Sequence, residues 1–449
     1  MPLRILRKLC VIVMVSMFLP GGNEATHADD WPQWRGPKRD GVWRETGIVK
    51  KFDKPRFDIV WRARIGSGYS SPTVSNGHVY VTDRLIEPKQ VERIHCFDAK
   101  TGKPIWSHAY DCPYKDVGYD AGPRASVTID EGRAYALGTM GHFFCFNAAD
   151  GKILWQKDLN AEYKIRMPIW GIACAPLIER DLVILQIGGE GDYCLVAFDK
   201  KTGELRWHAL ADNASYSAPV IIEQAGRRVL VCYTGDHVAG LDPMSGKLHW
   251  KVPFPPTKMV IGISDPVYHQ GHIFVSNFFD GSMLIRLDQE NLAAELVWKR
   301  AGESEMHTDA LHSIISTPYL RGDYIYGVDS YGELRCLKLM TGDRVWESLD
   351  AVPKERWATI HFIEHADPAQ QDKNIPNRIW MFTEKGELII SDLSPQGFTE
   401  ISRAKLISPT RDQLPSRRGG VCWSHPAFAG RHVFARNDEE LVCANLAAD

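Results

Sequence analysis

Short apolar runs that alternate with polar positions follow one another along most of the chain. Segments such as PTVSNGHVYVTD (72–83), DPVYHQGHIFVSN (265–277) and STPYLRGDYIYGVD (316–329) each hold two such runs separated by turn residues. Alternation with Gly, Asn or Asp between the runs is typical of paired antiparallel strands. Helical spacing of apolar residues is not sustained over any long stretch. The pattern therefore predicts an all-β fold.

An eleven-residue motif recurs between these strand pairs. An apolar strand end leads to an Asp or Asn, then to a Gly that can adopt a positive φ, and then to a Trp that begins the return strand. The copies are CFDAKTGKPIW (96–106), CFNAADGKILW (145–155), AFDKKTGELRW (197–207), GLDPMSGKLHW (240–250) and CLKLMTGDRVW (336–346). A degenerate copy, RLDQENLAAELVW (286–298), lacks the Gly and is two residues longer.

The tryptophans of the motif form a regular series, which extends back to Trp61 at an average spacing of about 47 residues. Its members are Trp61, Trp106, Trp155, Trp207, Trp250, Trp298 and Trp346. This period is typical of β-propellers, in which each repeat forms one four-stranded antiparallel blade.

The two chain ends indicate how the ring closes. The segment CANLAAD (443–449) repeats the start of the motif and then stops, whereas FDIVWRARI (57–65) carries Trp61 without a preceding hairpin. We therefore expect residues 57–65 to complete the last blade, which hides the sheet edges. A seventh blade near residues 358–406 has lost its Trp, with Ile401 at about that place. The count predicts eight blades, with seven as the alternative.

The pattern A/C/G-x-D-x-x-x-G-K-x-x-W resembles the tryptophan-docking motif of the quinoprotein-like propellers. That family includes the pyrroloquinoline quinone (PQQ) alcohol dehydrogenases and the BamB-type outer-membrane assembly scaffold. The resemblance implies that each Trp of the series packs against the neighbouring blade. The opening DWPQWRGPKRDGVW (30–43) is similar to the start of mature exported propellers of this kind from planctomycete-type bacteria. Such a fold does not by itself imply a function.

The dehydrogenase features of that family are missing from the motifs. The enzymes resemble one another in an adjacent cysteine pair over the cofactor and in a calcium site, but this chain has no Cys-Cys dipeptide and its motifs supply no calcium ligand set. The motif His361-Phe-Ile-Glu364-His365 matches a zinc signature that needs a helix. We expect it on a strand, where the two histidines stand about 13 Å apart and cannot share an ion. The motifs thus predict neither a metal site nor a PQQ site.

The segments that enter each blade share a small residue two places before a proline, as in GYSSP (68–72) and WSHP (423–426). Since the first strand of a propeller blade lines the central channel, the bulky or polar residues around these positions are candidates for a ligand or partner site at the channel mouth. The candidates are Tyr69, Arg124, Tyr216, Asp265, His312, Trp423 and His425. A structural alternative is that these side chains only plug the channel.

Composition and charge narrow the environment of the protein. The formal net charge is −3, and nothing in the sequence indicates the clustered basic surface that nucleic-acid binding needs. We therefore expect no nucleic-acid partner. Three basic residues precede the apolar run 9–19, which is built like a signal peptide and is too short to cross a bilayer. The predicted organisation is a signal peptide (1–28), an N-terminal extension (29–56) and a propeller (57–449).

These observations favour a non-enzymatic, exported propeller that acts as a protein-interaction scaffold in the cell envelope or periplasm, as a monomer and without a cofactor. Two alternatives remain. One is a PQQ-dependent or sugar-handling oxidoreductase with a degenerate cofactor site, and the other is a small-ligand sensor.

Overall fold

The computed structural model describes residues 30–370 and 376–448. These residues form eight β-sheets and one short helix, and each sheet contains a blade of four antiparallel strands; one sheet has a fifth, parallel strand. The first strands of neighbouring blades contact one another and therefore surround the central axis. The protein is thus an eight-bladed β-propeller, as predicted, and the seven-bladed alternative does not apply. The predicted signal peptide lies outside the described residues.

Two strands from the N-terminal part precede the first complete blade, namely β1 (Val42–Trp43) and β2 (Ile59–Arg64). Blade one consists of β3 (Thr73–Ser75), β4 (His78–Leu85), β5 (Val91–Asp98) and β6 (Pro104–Asp111). Blade two consists of β7 (Thr128–Asp130), β8 (Arg133–Leu137), β9 (His142–Asn147) and β10 (Ile153–Asp158) and is followed by α1 (Leu159–Tyr163). Blade three consists of β11 (Leu177–Glu179), β12 (Leu182–Gln186), β13 (Leu195–Asp199) and β14 (Leu205–Ala209).

Blade four consists of β15 (Val220–Gln224), β16 (Arg227–Tyr233), β17 (His237–Leu241) and β18 (Leu248–Pro253). Blade five consists of β19 (Val267–His269), β20 (His272–Asn277), β21 (Gly281–Leu287) and β22 (Ala294–Arg300). Blade six consists of β23 (Tyr319–Arg321), β24 (Tyr324–Val328), β25 (Leu334–Lys338) and β26 (Arg344–Ser348). Blade seven consists of β27 (Ile360–His365), β28 (Arg378–Thr383), β29 (Glu387–Ser394) and β30 (Gly397–Lys405).

Blade eight joins the two ends of the chain. It consists of β31 (Ala427–Ala429), β32 (His432–Arg436), β33 (Glu440–Asn445) and the N-terminal strand β2. The β2 strand pairs antiparallel with β33, with Trp61 opposite Cys443. This is the closure that the partial motifs at the chain ends predict, and it leaves no open outer edge on β33.

The motif tryptophans dock the blades to one another. The Trp61 indole Nε1–H donates to the Ala99 carbonyl of blade one at 2.8 Å, and Trp106 makes the same bond to Ala148 of blade two at 2.9 Å. The same hydrogen bond from an indole N–H to a backbone carbonyl of the next blade is made by Trp155, Trp207, Trp298 and Trp346. Each docked indole thereby satisfies its buried N–H while its ring supplies apolar area between sheets.

Two places in the ring depart from this pattern. Trp250 faces the degenerate motif of blade five and donates instead to Gln224 Oε1 at 2.9 Å, while Gln224 Nε2 donates to the Ala293 carbonyl at 2.7 Å. In blade seven the register places Ser402, one residue beyond Ile401, at the position of the missing Trp. The Ser402 hydroxyl accepts a bond from the Phe52 amide, so the N-terminal extension supplies an aromatic residue near this position.

The N-terminal extension also adds β1 to blade seven, where it pairs parallel with β27. The zinc-like motif lies on β27, as expected. His361 Nε2 contacts the Trp423 carbonyl at 2.7 Å and His365 Nε2 contacts the Glu45 carbonyl at 2.8 Å. Within the part of the chain that the structure describes, no three His, Cys, Asp or Glu residues are grouped as a metal site, and the nine cysteines are buried free thiols.

Candidate functional site

The connections between successive blades converge on the central axis and enclose a pocket. Each of the eight connections contributes at least one lining residue, so the pocket exists only because the whole ring closes. Aromatic side chains make up much of its wall, namely Tyr69, Tyr119, Trp170, Tyr216, Trp357 and Trp423. The rings contact one another edge to face, for example Tyr119 against Trp170 at 5.4 Å and against Trp357 at 5.7 Å between centroids. The volume of the pocket is about 140 Å³.

Several buried polar atoms of the pocket lining have no hydrogen-bond partner among the described residues. They are the indole Nε1 atoms of Trp357 and Trp423, the hydroxyls of Ser71 and Ser126, and Nε2 of His425. Buried polar groups in proteins are nearly always paired, because an unpaired one costs about 1–3 kcal/mol. This concentration of unpaired groups on one cavity makes it the candidate binding site.

The unpaired nitrogen of His425 is an acceptor. His425 Nδ1 lies 2.6 Å from the Pro426 carbonyl, which can only accept, so Nδ1 carries the proton and Nε2 presents its lone pair. Burial lowers the pKa of His425 well below its ordinary value, and the neighbouring His361 and Arg35 act in the same direction. The imidazole is therefore neutral near pH 7.

Arg124 places a cation on the wall of the pocket. Its guanidinium lies over the Tyr69 ring at 4.9 Å and donates to the carbonyls of Gly118, Gly122 and Tyr119. Among the described residues it forms no ion pair with a carboxylate. These bonds fix the guanidinium in place at the wall of the pocket.

The N-terminal segment 31–39, which we call the plug, contributes Trp34 to the lining of the pocket. Trp34 Nε1 donates to Asp265 Oδ2 at 2.6 Å, and Arg35 Nη1 lies 3.7 Å from the same oxygen. The Ala218 amide donates to Asp265 Oδ1 at 2.9 Å. Burial raises the pKa of Asp265, which these partners partly offset. Both oxygens of this carboxylate are therefore committed to the structure.

Arg39 extends the plug across the channel. Its guanidinium donates to the carbonyls of Ala175, Pro176 and Pro219 at the entrances of blades three and four. Burial lowers the pKa of Arg39 to about 10, so it stays charged at neutral pH. The plug thus brings two guanidinium groups, Arg35 and Arg39, close to the pocket, where Arg35 pairs with Asp265.

The structure brings together six of the seven channel-mouth candidates, namely Tyr69, Arg124, Tyr216, Asp265, Trp423 and His425. His312 lies elsewhere: it is fully buried between blades, with Nδ1 at 3.0 Å from the Phe278 carbonyl and Nε2 accepting from the Gly302 amide. Its imidazole is used to satisfy backbone groups and does not reach the cavity.

Sequence reasoning missed Tyr119, Trp170 and Trp357, which lie in long connections away from the small-x-Pro entrances. It also gave no structural role to Trp34 and Arg39. The signal was present, since two tryptophans and two arginines within the nine residues 31–39 are unusual for an exposed tail. Nothing in their spacing, however, indicates that the segment enters the channel.

A comparison with known protein families agrees with this architecture. The family model described as "Outer membrane protein assembly factor BamB" matches residues 45–116 and 90–348, which is more than half of the chain. The chain belongs to the BamB family. The BamB of Shewanella oneidensis is 24% identical over 228 residues, covering 50% of this chain and 56% of that protein. The BamB of Burkholderia pseudomallei is 30% identical over 210 residues, covering 44% and 47%.

The chain therefore spans about half the length of the curated BamB relatives that it matches. Among solved structures, BamB from Moraxella catarrhalis has a TM-score of 0.54 at 15% identity, covering 87% of this chain and 97% of that one. The quinohemoprotein alcohol dehydrogenase of Comamonas testosteroni has a TM-score of 0.61 at 13% identity, covering 94% and 81%. At such identities these two likenesses show the fold alone.

The pocket does not fit the cofactor of the quinoprotein enzymes. PQQ is a fused three-ring tricarboxylate, whereas a cavity of about 150 Å³ holds a single benzene ring. The pocket of about 140 Å³ has the latter size, and its one carboxylate, Asp265, is committed to Trp34 and Ala218. The absence of a PQQ cofactor stays a prediction.

Proposed function

We propose that the protein is a non-enzymatic binding propeller of the cell envelope, which captures a protein partner at the open end of its channel. Membership of the BamB family supports a scaffold role, because the curated relatives are named as outer membrane protein assembly factors. The observation that carries the proposal is the aromatic pocket, whose buried polar atoms lack partners within the described chain. A binding site of this kind has its polar contacts completed by what it binds.

The titratable groups of the pocket favour binding over catalysis. A general base must reach a substrate proton with a free lone pair and a pKa near the working pH. Asp265 has both oxygens engaged, and His425 has a pKa well below its ordinary value. The oxidoreductase alternative therefore receives less support than a scaffold.

Further parts of the proposal concern the environment of the protein. We expect residues 1–28 to direct export to the periplasm or beyond, and the mature protein to act as a monomer without nucleic acid or cofactor. No helix among the described residues is long and apolar enough to span a membrane. Fractionation of tagged protein, with N-terminal sequencing of the mature form, tests the export.

The capture site can be tested by placing a photo-crosslinking amino acid at Ile169, beside the lining residue Trp170, in the full chain. Leu154, on the outer strand β10, provides a matched control because the exposed fractions of the two side chains are similar, 46% and 42%. We expect a specific adduct in envelope fractions from position 169 and none from position 154. Equal labelling at both positions, or adducts from position 154 alone, would contradict a partner site at the channel mouth.

The small-ligand sensor is a second candidate that one observation favours. The pocket is enclosed by the whole ring and its volume suits a compact ligand. A sensor and a scaffold share the same site, and they differ in whether a small molecule or a protein completes its hydrogen bonds.

A further inference from the structure

The chemistry of the pocket lining restricts what the pocket binds, and this inference rests on the proposed function of the channel mouth as a binding site. Size is the first restriction. A volume of about 140 Å³ matches that of a cavity that holds one benzene ring, so one six-membered ring with a small substituent fills it. The second restriction is the aromatic wall, in which Tyr119 meets Trp170 and Trp357 edge to face. Such walls suit a planar ring that stacks or makes edge contacts.

The charges around the pocket are the third restriction. An aromatic cage commonly binds a cation, but such sites depend on an electron-rich and electrically neutral or negative surrounding. Here Arg124 lies on the wall, whereas Asp265, the single carboxylate of the lining, is paired with Arg35 behind the pocket at 3.7 Å. The excess of positive charge in a desolvated site disfavours a cationic ligand and attracts an anionic one.

Hydrogen-bond donors outnumber acceptors among the unpaired atoms. The Nε1–H groups of Trp357 and Trp423 can only donate, the hydroxyls of Ser71 and Ser126 can donate, and Nε2 of His425 accepts. A ligand that satisfies this set carries accepting oxygens, as a carboxylate does. A sugar ring would bring several hydroxyl donors into a wall that offers them few acceptors.

We infer that the pocket binds a small aryl carboxylate, meaning one aromatic ring that carries a carboxylate group. The ring occupies the space between Tyr119, Trp357 and Trp423, and the carboxylate accepts from unpaired indole and hydroxyl donors in the field of Arg124. The site is distinct in size from one for a fused multi-ring quinone.

The test is calorimetric titration of the purified full-length mature protein with benzoate. Benzyl alcohol keeps the ring and removes the charge, cyclohexanecarboxylate keeps the charge and removes the planar ring, and glucuronate offers an anionic sugar. We expect saturable benzoate binding with a Kd below about 1 mM, and at least about tenfold weaker binding of the other three compounds. Undetectable benzoate binding, or tighter binding of glucuronate or benzyl alcohol, overturns the inference.

Matched variants locate the binding to the pocket. Trp423→Phe and Ser126→Ala each remove the unpaired donor of a residue that lines the cavity, and we expect each to weaken benzoate binding by about 3- to 10-fold. Trp43→Phe and Ser330→Ala remove buried groups that are likewise unpaired but lie outside the pocket, and we expect them to leave the Kd unchanged. Equal weakening by both pairs, or by neither pair, contradicts the assignment of the ligand to this pocket.

The two proposals fail in different ways. If benzoate does not bind but the crosslink at position 169 persists, the ligand class is wrong and the scaffold role stands. If benzoate binds to the pocket and no crosslink forms at position 169, the protein is a ligand-binding propeller and the scaffold role is wrong.

Discussion

The two ends of the channel are built from similar residues and differ in whether the indole N–H groups of the pocket lining have a partner. At the plugged end, Trp34 donates to Asp265 and Arg39 donates to carbonyls of blades three and four. At the open end, the indoles of Trp357 and Trp423 are buried without partners among the described residues. Aromatic and basic residues thus act as structure at one end and line the candidate site at the other.

The difference shows that residue type alone does not identify a site. Trp34 and Trp423 both line the same cavity, yet one completes an internal hydrogen bond and the other leaves a donor unused. Each unpaired buried group lowers the stability of the folded chain by about 1–3 kcal/mol. A ligand that pairs them recovers this cost, which is why the open end and not the plugged end is the candidate site.

Removal of the plugged end should have the largest effect. A chain that starts at residue 66 lacks the plug and β2, so that β33 becomes an exposed outer edge and Trp61 is lost from the docking series. Unprotected strand edges lead to aggregation. We expect this chain to yield no soluble monomer by size-exclusion chromatography.

A chain that starts at residue 57 is the control for this deletion, since it keeps β2 and lacks only the extension. We expect it to be soluble but less stable than the parent. If the chain starting at residue 66 is as soluble and stable as the full mature protein, the closure does not depend on the N-terminal strand.

Truncation of one tryptophan at each end sharpens the comparison. Trp31 is almost fully buried and packs on Phe428 at the plugged end, so Trp31→Ala should lower the free energy of unfolding by about 3–5 kcal/mol. Trp155→Ala, in the docking series, should have a similar cost. Trp423→Ala should cost less than about 2 kcal/mol, because its ring already faces the open cavity. Denaturant unfolding measures all three.

The same variants separate structure from binding. We expect Trp423→Ala to abolish the crosslink at position 169, while Trp31→Ala and Trp155→Ala retain it under conditions where they are folded. Equal destabilisation by the three variants together with an unchanged crosslink would show that Trp423 is an ordinary core residue.

Acid should destabilise the fold through His361, which lies at the junction between the two ends. The centroids of the His361 and His425 rings are 4.9 Å apart. Burial lowers the pKa of His361 from 6.5 to about 4, so the folded state keeps this imidazole neutral while the unfolded chain takes up a proton. The free energy of unfolding therefore has its full value above about pH 6.5. It falls by about 3 kcal/mol as the pH decreases toward about 4, because protonation then favours the unfolded chain.

The pH dependence is measured by denaturant unfolding between pH 7 and pH 4, as free energy against pH. His361→Gln keeps a donor toward the Trp423 carbonyl and removes the titration, so its profile should be flatter than that of the parent over this range. An identical slope for the parent and the variant would exclude His361 as a source of acid sensitivity.

The smallest expected effect on stability comes from replacing a tryptophan by phenylalanine at each end of the channel. Trp34→Phe removes the N–H that donates to Asp265 and leaves a buried carboxylate short of a partner, which should cost about 1–3 kcal/mol. Trp423→Phe removes an N–H without a partner in the described chain, and should be neutral or slightly stabilising. Equal losses of stability in thermal unfolding would mean that the two indoles are equally satisfied.

Much of the ring could be predicted because its information is local. The turn motif fixes a hairpin through an Asp side chain and a Gly at positive φ, as in Asp98 and Gly102. A Cβ on Gly102 would meet the Trp61 ring at 2.5 Å, so the same Gly also admits the docking Trp of the previous blade. Repetition of this unit determined the blade period, the eight blades and the closure by β2.

Other features depend on contacts between residues that are far apart in the chain. His312 shares the entrance pattern of the channel candidates, but its imidazole is consumed by Phe278 and Gly302. Ser402 and not Ile401 holds the place of the lost Trp, since it lies opposite Ile390 as Trp106 lies opposite Cys96 in blade one. Without the Trp itself, the local pattern does not fix this position.

The sequence by itself determined the repeating unit, since strand alternation, turn chemistry and the docking Trp act within one blade and its neighbour. Only the tertiary structure decided which residues share the central axis. Tyr119, Trp170 and Trp357 come from three different connections, and Trp34 enters from the N-terminal segment. They become a pocket because ring closure brings eight unrelated connections to one point, where Trp34 finds its partner Asp265 at a separation of 231 residues in the chain.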